Sequence, residues 1–179
     1  MSRIRNLLAA YESQLGLNWD SGLHGAERTW FAVYDPVDER RLRMMIGEFA
    51  LATRKKGHQW LHLDVSHAFE EWLSKSRYRE SYFEDPDFLE MQYGDFELSL
   101  QEQITAAAEL TDDNTVLAIS GVGSLFGSAR VSGVIGGVAD SVKGRLLVFF
   151  PGTVDSNTYR LLNARDGWNY RAVAITAAG

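Results

Sequence analysis

The chain has 179 residues, of which 45% are hydrophobic and 23% charged, and it contains no cysteine. These totals predict a single globular domain over residues 1–179 with a continuous core, and they exclude disulfide bonds and thiolate chemistry. The formal net charge of −6 argues against direct binding to nucleic acid, because such binding needs clustered lysine and arginine side chains.

The N-terminal segment MSRIRNLLAAYESQLG carries two arginines, but its apolar run is only LLAA. A secretion signal needs a longer apolar run with a cleavage site, and a membrane-spanning helix needs about 20 apolar residues. We therefore expect a cytoplasmic protein without a membrane segment. The apolar residues here recur at helical spacing and predict a first helix, with the stripe Ile4, Leu7, Leu8, Tyr11 and Leu15.

Five short segments rich in β-branched and aromatic residues predict strands. They are TWFAVY (29–34), QWLHLDV (59–65), TVLAIS (115–120), RLLVFF (145–150) and YRAVAIT (170–176). The first, third and fourth are continuously apolar, which indicates central strands of a sheet covered on both faces. The last follows RDGWNY, where Asp-Gly marks a turn, so we expect this strand to lie antiparallel at an edge.

Four further helices are predicted from apolar residues at helical spacing. Their stripes begin at Leu42, Phe69, Leu89 and Val131. Asp35 and Asp85 each precede a proline, which is typical of a capping residue followed by the first helical position. Ser66 and Ser128 are the predicted caps of the third and fifth helices.

This order of elements predicts an α/β three-layer sandwich with helices on both faces of a mostly parallel central sheet of about five strands. We expect a Rossmann-like or P-loop-like topology. The third strand runs straight into the glycine-rich turn SGVGSLFG, which is where many α/β proteins bind phosphate. This turn therefore decides whether the chain carries a nucleotide site.

The glycine-rich turn lacks the features of a functional phosphate loop. A Walker loop requires Gly-Lys-Ser/Thr, and no lysine follows the turn before Lys143. The spacing of its glycines also misses the dinucleotide fingerprint. We predict a structural corner. The alternative is a degenerate nucleotide-binding domain in which backbone amides of the 121–128 turn hold phosphate, with Gly121, Gly123 and Ser124 as candidate residues.

His58, His62 and Asp64 lie on one face of an ideal strand and are candidate ligands for zinc or iron. Metal sites usually draw ligands from several segments, so histidines bonded to loops at the end of the sheet are the preferred interpretation. Paired carboxylates elsewhere fall at helix boundaries, and no serine occupies a nucleophile elbow. The sequence predicts no catalytic residues and no cofactor.

Two segments, both expected to be loops, combine arginine with aromatic residues, a combination enriched at protein interfaces. They are RYRESYFEDP (77–86) and NARDGWNYR (163–171). The predicted partner-binding residues are Arg77, Tyr78, Arg79, Tyr82, Arg165, Asp166, Trp168 and Tyr170. The alternative is that these aromatic side chains only anchor loops on the sheet.

Several long segments, taken in order, resemble the BrxB family of bacteriophage exclusion (BREX) defence systems. They are RTWFAVYDPVDERRLRMMIGEF, YRESYFEDP, LAISGVGSLFG, GRLLVFFPG and YRLLNARDGWNY, and the resemblance runs from about residue 1 to residue 176. BREX clusters encode a DNA methyltransferase, a large ATPase, an alkaline-phosphatase-like protein called PglZ, and small accessory proteins that include BrxB.

This resemblance implies a non-catalytic adaptor that joins other BREX proteins, with PglZ as the expected partner. It supplies no catalytic residues to carry over, which agrees with the incomplete catalytic sets in the chain. Two alternatives stay open. One is the degenerate nucleotide-binding domain, and the other is a metal-dependent hydrolase built around His58, His62 and Asp64.

Overall fold

The computed structural model describes residues 2–20, 22–164 and 167–177. In these residues seven strands form one sheet: β1 (Thr29–Tyr34), β2 (Gln59–Asp64), β3 (Thr115–Ser120), β4 (Arg145–Asp155), β5 (Thr158–Leu161), β6 (Trp168–Asn169) and β7 (Val173–Thr176). The α-helices are α1 (Arg3–Leu15), α2 (Glu39–Lys55), α3 (Ala68–Lys75), α4 (Arg79–Glu84), α5 (Pro86–Glu90), α6 (Tyr93–Glu109) and α7 (Val131–Val138). None of the described helices is long and apolar enough to cross a bilayer.

The main path of the sheet has the order β2-β3-β4-β1-β7, and every neighbouring pair along it is parallel. The end of β4 continues beyond this path and pairs antiparallel with β5, which in turn pairs with β6. The predicted α/β fold with a mostly parallel sheet is therefore confirmed. The additional strands come from the β4–β5–β6 extension.

The three strands expected at the centre are the three most deeply buried. Every residue of β1 and β3 is buried, as are the first eight residues of β4. By contrast, β2 at one edge is partly exposed along its whole length. Continuous apolar runs therefore identified the central strands correctly, because such strands are covered on both faces.

The last strand lies at an edge as expected, but its predicted direction is wrong. Strand β7 pairs parallel with β1, with Phe31 opposite Ala174 and Ala32 opposite Ile175. The β5–β6 excursion is the reason, because it carries the chain back across one face of the sheet. Tyr159 in β5 is fully buried in that face, so the hairpin takes the place of a crossover helix.

Helices cover the two faces of the sheet and create two apolar cores. One core joins α1 and α2 to side chains such as Ala32 and Leu147. The other joins α3, α6, α7 and β5 to side chains such as Phe31 and Val148. Alternate residues of the same buried strand therefore belong to different cores, as the period of two requires.

The two aspartate caps are confirmed, and the two serine caps are wrong. Asp35 accepts a hydrogen bond from the Val37 amide at 3.1 Å, and Asp85 accepts one from the Phe88 amide at 3.4 Å. The position before α3 is His67 and the position before α7 is Arg130. The Ser66 hydroxyl donates to Asp64 and accepts from Arg43 Nη2, and the Ser128 hydroxyl donates to the Leu125 carbonyl.

Candidate functional site

The glycine-rich turn is a corner that forms where two loops come into close contact. Gly121 has a φ of +83°, and residues Val122–Leu125 then form one 3₁₀ turn. A Cβ atom on Gly121 would lie 2.6 Å from Asp64 Oδ1 and 2.7 Å from the Ser66 amide nitrogen. Both the backbone angle and the contact with the loop after β2 therefore require glycine at this position.

Three amides of this turn donate hydrogen bonds within the turn. The Ser124 amide donates to the Gly121 carbonyl at 3.1 Å, and the Phe126 amide donates to the Gly123 carbonyl at 3.2 Å. The Ser128 amide likewise donates to the Leu125 carbonyl at 3.0 Å. A phosphate-binding turn directs unpaired N–H groups at its ligand. This geometry favours the structural corner over the degenerate nucleotide site.

The position where an anion would sit at the start of α7 is taken by a side chain of the protein itself. Glu97 of α6 accepts a hydrogen bond from the Arg130 amide at 3.2 Å, and its carboxylate lies 3.7 Å from the Arg130 guanidinium. Glu97 also lies against Gly133, where an added Cβ would collide with its carboxyl group. The carboxylate therefore supplies the negative charge that the amino end of the helix favours.

A crevice lies at the carboxyl end of the sheet, between β1 and β4. These two strands are adjacent, but the chain leaves them over opposite faces of the sheet. After β1 it forms α2, which packs in one core, and after β4 it forms β5, which packs in the other. Open α/β sheets bind ligands at such a switch point. The crevice has a volume of about 230 Å³, and Pro36, Glu39, Arg43, Gly123 and Pro151 are among its lining residues.

Arg43 of α2 holds the polar side chains of this crevice together. Its Nε lies 2.9 Å from Glu39 Oε1, and its Nη2 donates to Ser66 Oγ at 2.6 Å. Its Nη1 lies 3.7 Å from Asp64 Oδ2, and the Tyr34 hydroxyl donates to the other oxygen of Glu39. Charges of both signs are thus paired across the mouth of the crevice, and we call these five residues the Arg43 network.

The ionisation of this network follows from its contacts. Burial raises the pKa of the Asp64 carboxyl, but hydrogen bonds from Ser66 and the nearby Arg43 charge outweigh it and bring that pKa below its ordinary value. Burial, followed by the hydrogen bond to Glu39, raises the pKa of the Tyr34 hydroxyl far above its ordinary value. Asp64 is therefore ionised and Tyr34 protonated at neutral pH, which is the pattern of a structural ion-pair network.

On the other side of Pro36, a second group of ion pairs joins α1 to the start of α2. Arg3 lies 3.2 Å from Asp35 and 2.9 Å from Asp38, and only 9% of the Asp38 side chain is exposed. These residues line a cavity of about 300 Å³ that also includes Gly152 and Thr153. Ion pairs within the protein therefore flank the switch point on both sides.

The candidate metal ligands bond to three different partners. His58 stacks on Trp19 and places Nδ1 2.6 Å from Asn114 Oδ1, whereas His62 places Nε2 2.7 Å from Ser120 Oγ. Asp64 belongs to the Arg43 network. Burial lowers the pKa of His62 against the opposing effect of the Asp64 charge. In the described ranges no group of three His, Asp or Glu side chains is arranged to hold a metal ion.

The segment 77–86, expected to be a loop, contains the helix α4. Tyr82 is buried, stacks on Trp72 of α3 and packs against Phe88 of α5. These contacts anchor α4 on the domain. The predicted residues Arg77, Tyr78 and Arg79 are all exposed.

Exposed apolar side chains extend from this segment to Met91, the residue that follows α5. Phe83 and Met91 are each 77% exposed, and Tyr78 is 45% exposed. The guanidinium of Arg77 lies 4.8 Å from the centre of the Tyr78 ring, within the range of a cation–π contact. We call Arg77, Tyr78, Phe83 and Met91 the α4–α5 surface.

The second predicted segment packs inward where it is described. Trp168 lies against Phe31, Phe150 and Tyr159 with ring centroids 5.4–6.1 Å apart. The Tyr170 ring packs against Phe31 at 5.9 Å, and burial raises the pKa of its hydroxyl. Arg165 and Asp166 lie outside the described residues. Trp168 and Tyr170 thus pack against the rings of the core.

Sequence reasoning did not find the Arg43 network. Its only local signal is the pairing of Glu39 with Arg43 four residues later on one helix face. The contact of Arg43 with Ser66 joins residues 23 positions apart and depends on how α2 crosses the end of β2. Phe83 lies within the predicted segment and Met91 lies five residues after it, but neither was among the predicted binding residues, because exposure cannot be read from residue type.

Fold and site together define a three-layer α/β domain in which the glycine-rich turn forms a tight corner, and Gly121, Gly123 and Ser124 of this turn line the crevice at the switch point. The model of the family described as BREX protein BrxB matches residues 69–175, which is more than half of the chain. The chain therefore belongs to the BrxB family, whose proteins are components of BREX phage-defence systems. The match spans both arginine–aromatic segments. Neither the curated proteins nor the solved structures include a match to this chain.

Proposed function

We propose that this chain is a non-catalytic interaction component of a BREX phage-defence complex and that it binds the PglZ protein. Membership of the BrxB family makes the chain a BREX component. The partner and the mode of action are our proposal, and the observation that carries it is the α4–α5 surface. There, Phe83 and Met91 are each 77% exposed on a segment anchored by the buried Tyr82.

The α4–α5 surface has the physical properties of a binding surface. Tyr82, Phe88 and Trp72 fix the backbone of the segment through ring contacts, so its exposed side chains are presented on an ordered framework. Aromatic and arginine side chains dominate the binding energy of protein interfaces. Covering a large apolar side chain contributes roughly 1.5–3 kcal/mol, so Phe83 and Met91 are the expected anchors.

The carboxyl end of the sheet supports an adaptor in a different way. Arg43 pairs with Glu39 and Asp64, and Arg3 pairs with Asp35, so these charges are already compensated inside the protein. A ligand bound there would have to replace these contacts. The exposed apolar groups of the α4–α5 surface lose nothing when a partner covers them.

Co-purification of the tagged chain with each protein of a BREX cluster tests this proposal. We expect PglZ to be retained and the Phe83→Ala variant to bind it at least about tenfold more weakly, since one anchor is worth more than about 1.4 kcal/mol. Leu110→Ala is the matched control, because Leu110 is 82% exposed at the end of α6. Its binding should equal that of the wild type.

Two results would contradict the proposal. One is that the chain elutes alone from mixtures with every BREX protein. The other is that PglZ binds Phe83→Ala, Tyr78→Ala and the wild type with equal affinity, which would move the interface away from the α4–α5 surface. Circular dichroism of each variant establishes that the fold is intact.

A further inference from the structure

Strand β2 forms an open edge of the sheet. Its pairing with β3 is fixed by hydrogen bonds from the Gln59 amide to the Asn114 carbonyl and from the Val65 amide to the Ser120 carbonyl, both 2.9 Å. In a parallel ladder, alternate residues bond to the same neighbour. The N–H and C=O groups of Trp60, His62 and Asp64 therefore point away from the sheet. Among the described residues, nothing hydrogen-bonds to these backbone groups.

This edge lacks the usual protection against pairing. Natural edge strands carry lysine, proline or bulges that block the addition of another strand. Strand β2 contains neither lysine nor proline, and its one charged residue, Asp64, is engaged by Arg43. Trp60, Leu61 and Leu63 remain partly exposed along it. The edge thus combines unpaired backbone groups with apolar side chains.

We propose that two copies of this chain pair antiparallel through β2, with a two-fold axis at His62. In this register Trp60 lies opposite Asp64 of the second copy, and His62 lies opposite its own counterpart. All three outward residues then form hydrogen-bonded pairs, which gives about six interchain hydrogen bonds. The five strands on the main path of each copy would join into one continuous sheet of ten.

Charge complementarity identifies the occupant as a second copy. The amino end of β2 follows the exposed Arg54, Lys55 and Lys56, whereas its carboxyl end leads into α3 with the exposed Glu70 and Glu71. An antiparallel two-fold contact places the basic end of each copy against the acidic end of the other, and it does so twice. Two-fold pairing also closes the assembly at two copies.

Sedimentation of the purified chain alone, over a range of concentrations, tests this inference without any BREX partner. We expect a dimer for the wild type. His62→Pro removes the outward N–H at the axis and leaves the bonds to β3 in place, as proline permits on an edge strand. It should raise the dimer dissociation constant by at least about tenfold, because both hydrogen bonds at the axis are lost. His62→Thr keeps the N–H and should remain dimeric.

A charge reversal provides a second variant that does not alter the strand. Lys55→Glu with Lys56→Glu should weaken the dimer, and adding Glu70→Lys with Glu71→Lys should restore it. A wild type that stays monomeric at every concentration would overturn the proposal. So would the finding that the β2 edge pairs with a different protein and not with a second copy. A dimer that persists in both His62→Pro and the lysine reversal would overturn it too, since the contact would then lie elsewhere.

Discussion

The carboxyl end of the sheet and the α4–α5 surface differ in whether their side chains have partners within the protein. At the carboxyl end, Arg43 pairs with Glu39 and Asp64, and Gly121 closes the corner beside them. On the α4–α5 surface, Phe83 and Met91 face solvent without a covering element. The first region has the position of an active site and the chemistry of a structural network. The second has no special position in the fold, and its large apolar side chains are exposed.

This difference teaches that position in a fold is weaker evidence of function than unsatisfied chemistry. Function has to be argued from the groups at a site, because one fold supports many activities. Other open α/β sheets bind ligands at the switch point, which lies between β1 and β4 in this chain. Its polar groups bond to one another, whereas the Phe83 side chain of α4 is 77% exposed.

Gly121→Ala should have the largest effect on stability and would sharpen this comparison. The substitution forces a non-glycine residue to a φ of +83° and places Cβ 2.7 Å from the Ser66 amide nitrogen. We expect the free energy of unfolding to fall by about 3 kcal/mol, measured by chemical denaturation. Gly127→Ala is the matched control, since its φ is +85° but no atom lies within 4 Å of the added Cβ.

Gly127→Ala should lower the free energy of unfolding by only about 1 kcal/mol, because it incurs the backbone penalty without the collision. Equal losses in the two variants would show that the corner at Gly121 has room for a side chain. In that case the tight contact between the turn and the loop after β2 would be refuted, and the turn would again be open to a ligand.

Trp168→Ala should have the next largest effect on stability, and comparing it with Phe83→Ala distinguishes the two arginine–aromatic segments. The Trp168 ring packs on Phe31, Phe150 and Tyr159, so its removal should lower the free energy of unfolding by about 2 kcal/mol. Phe83→Ala should change it by less than about 0.5 kcal/mol, because Phe83 is 77% exposed. Thermal and chemical denaturation of both variants measure the contrast.

A Trp168→Ala variant as stable as the wild type would return the 163–171 segment to the list of candidate binding surfaces. A large loss in Phe83→Ala would instead make α4 part of the core. Either result would contradict the distinction between the 163–171 segment, which packs inward, and the 77–86 segment, which carries exposed side chains.

The pH dependence of stability should show the smallest effect. The pKa of Asp64 in the folded protein lies below its ordinary value of 3.8, because Ser66 and Arg43 stabilise the carboxylate against the opposing effect of burial. Its contribution is therefore present above pH 3.8 and is lost as the pH falls through the folded-state pKa. Unfolding of Asp64→Asn, followed from neutral to acid pH, should show a shallower loss than the wild type. Identical slopes would contradict the Arg43 network.

The fold was largely predictable because its signals are local. Continuous apolar runs identified β1, β3 and β4 as central strands, and Asp35 and Asp85 marked helix starts through their own hydrogen bonds. The direction of β7 was not predictable in this way. It depends on the β5–β6 excursion, whose burial under a core of distant residues is a tertiary effect.

The candidate functional regions were less predictable for the same reason. Glu39 and Arg43 are visible as a helical pair, but their contact with Asp64 and Ser66 needs the packing of α2 over the end of β2. The 77–86 segment was singled out by its composition as a candidate binding segment. Composition alone did not show that Tyr82 is buried while Phe83 beside it is exposed, because this follows from the helical turn of α4.

Hydrogen exchange of the chain, measured with and without PglZ, tests the central claim most directly. It reports on the carboxyl end of the sheet and on the α4–α5 surface in one experiment. We predict that PglZ slows amide exchange across residues 77–91 and leaves the 121–128 turn and the start of α2 unchanged. Protection of the turn and the start of α2, with none in residues 77–91, would contradict the account and give the binding role to the carboxyl end of the sheet.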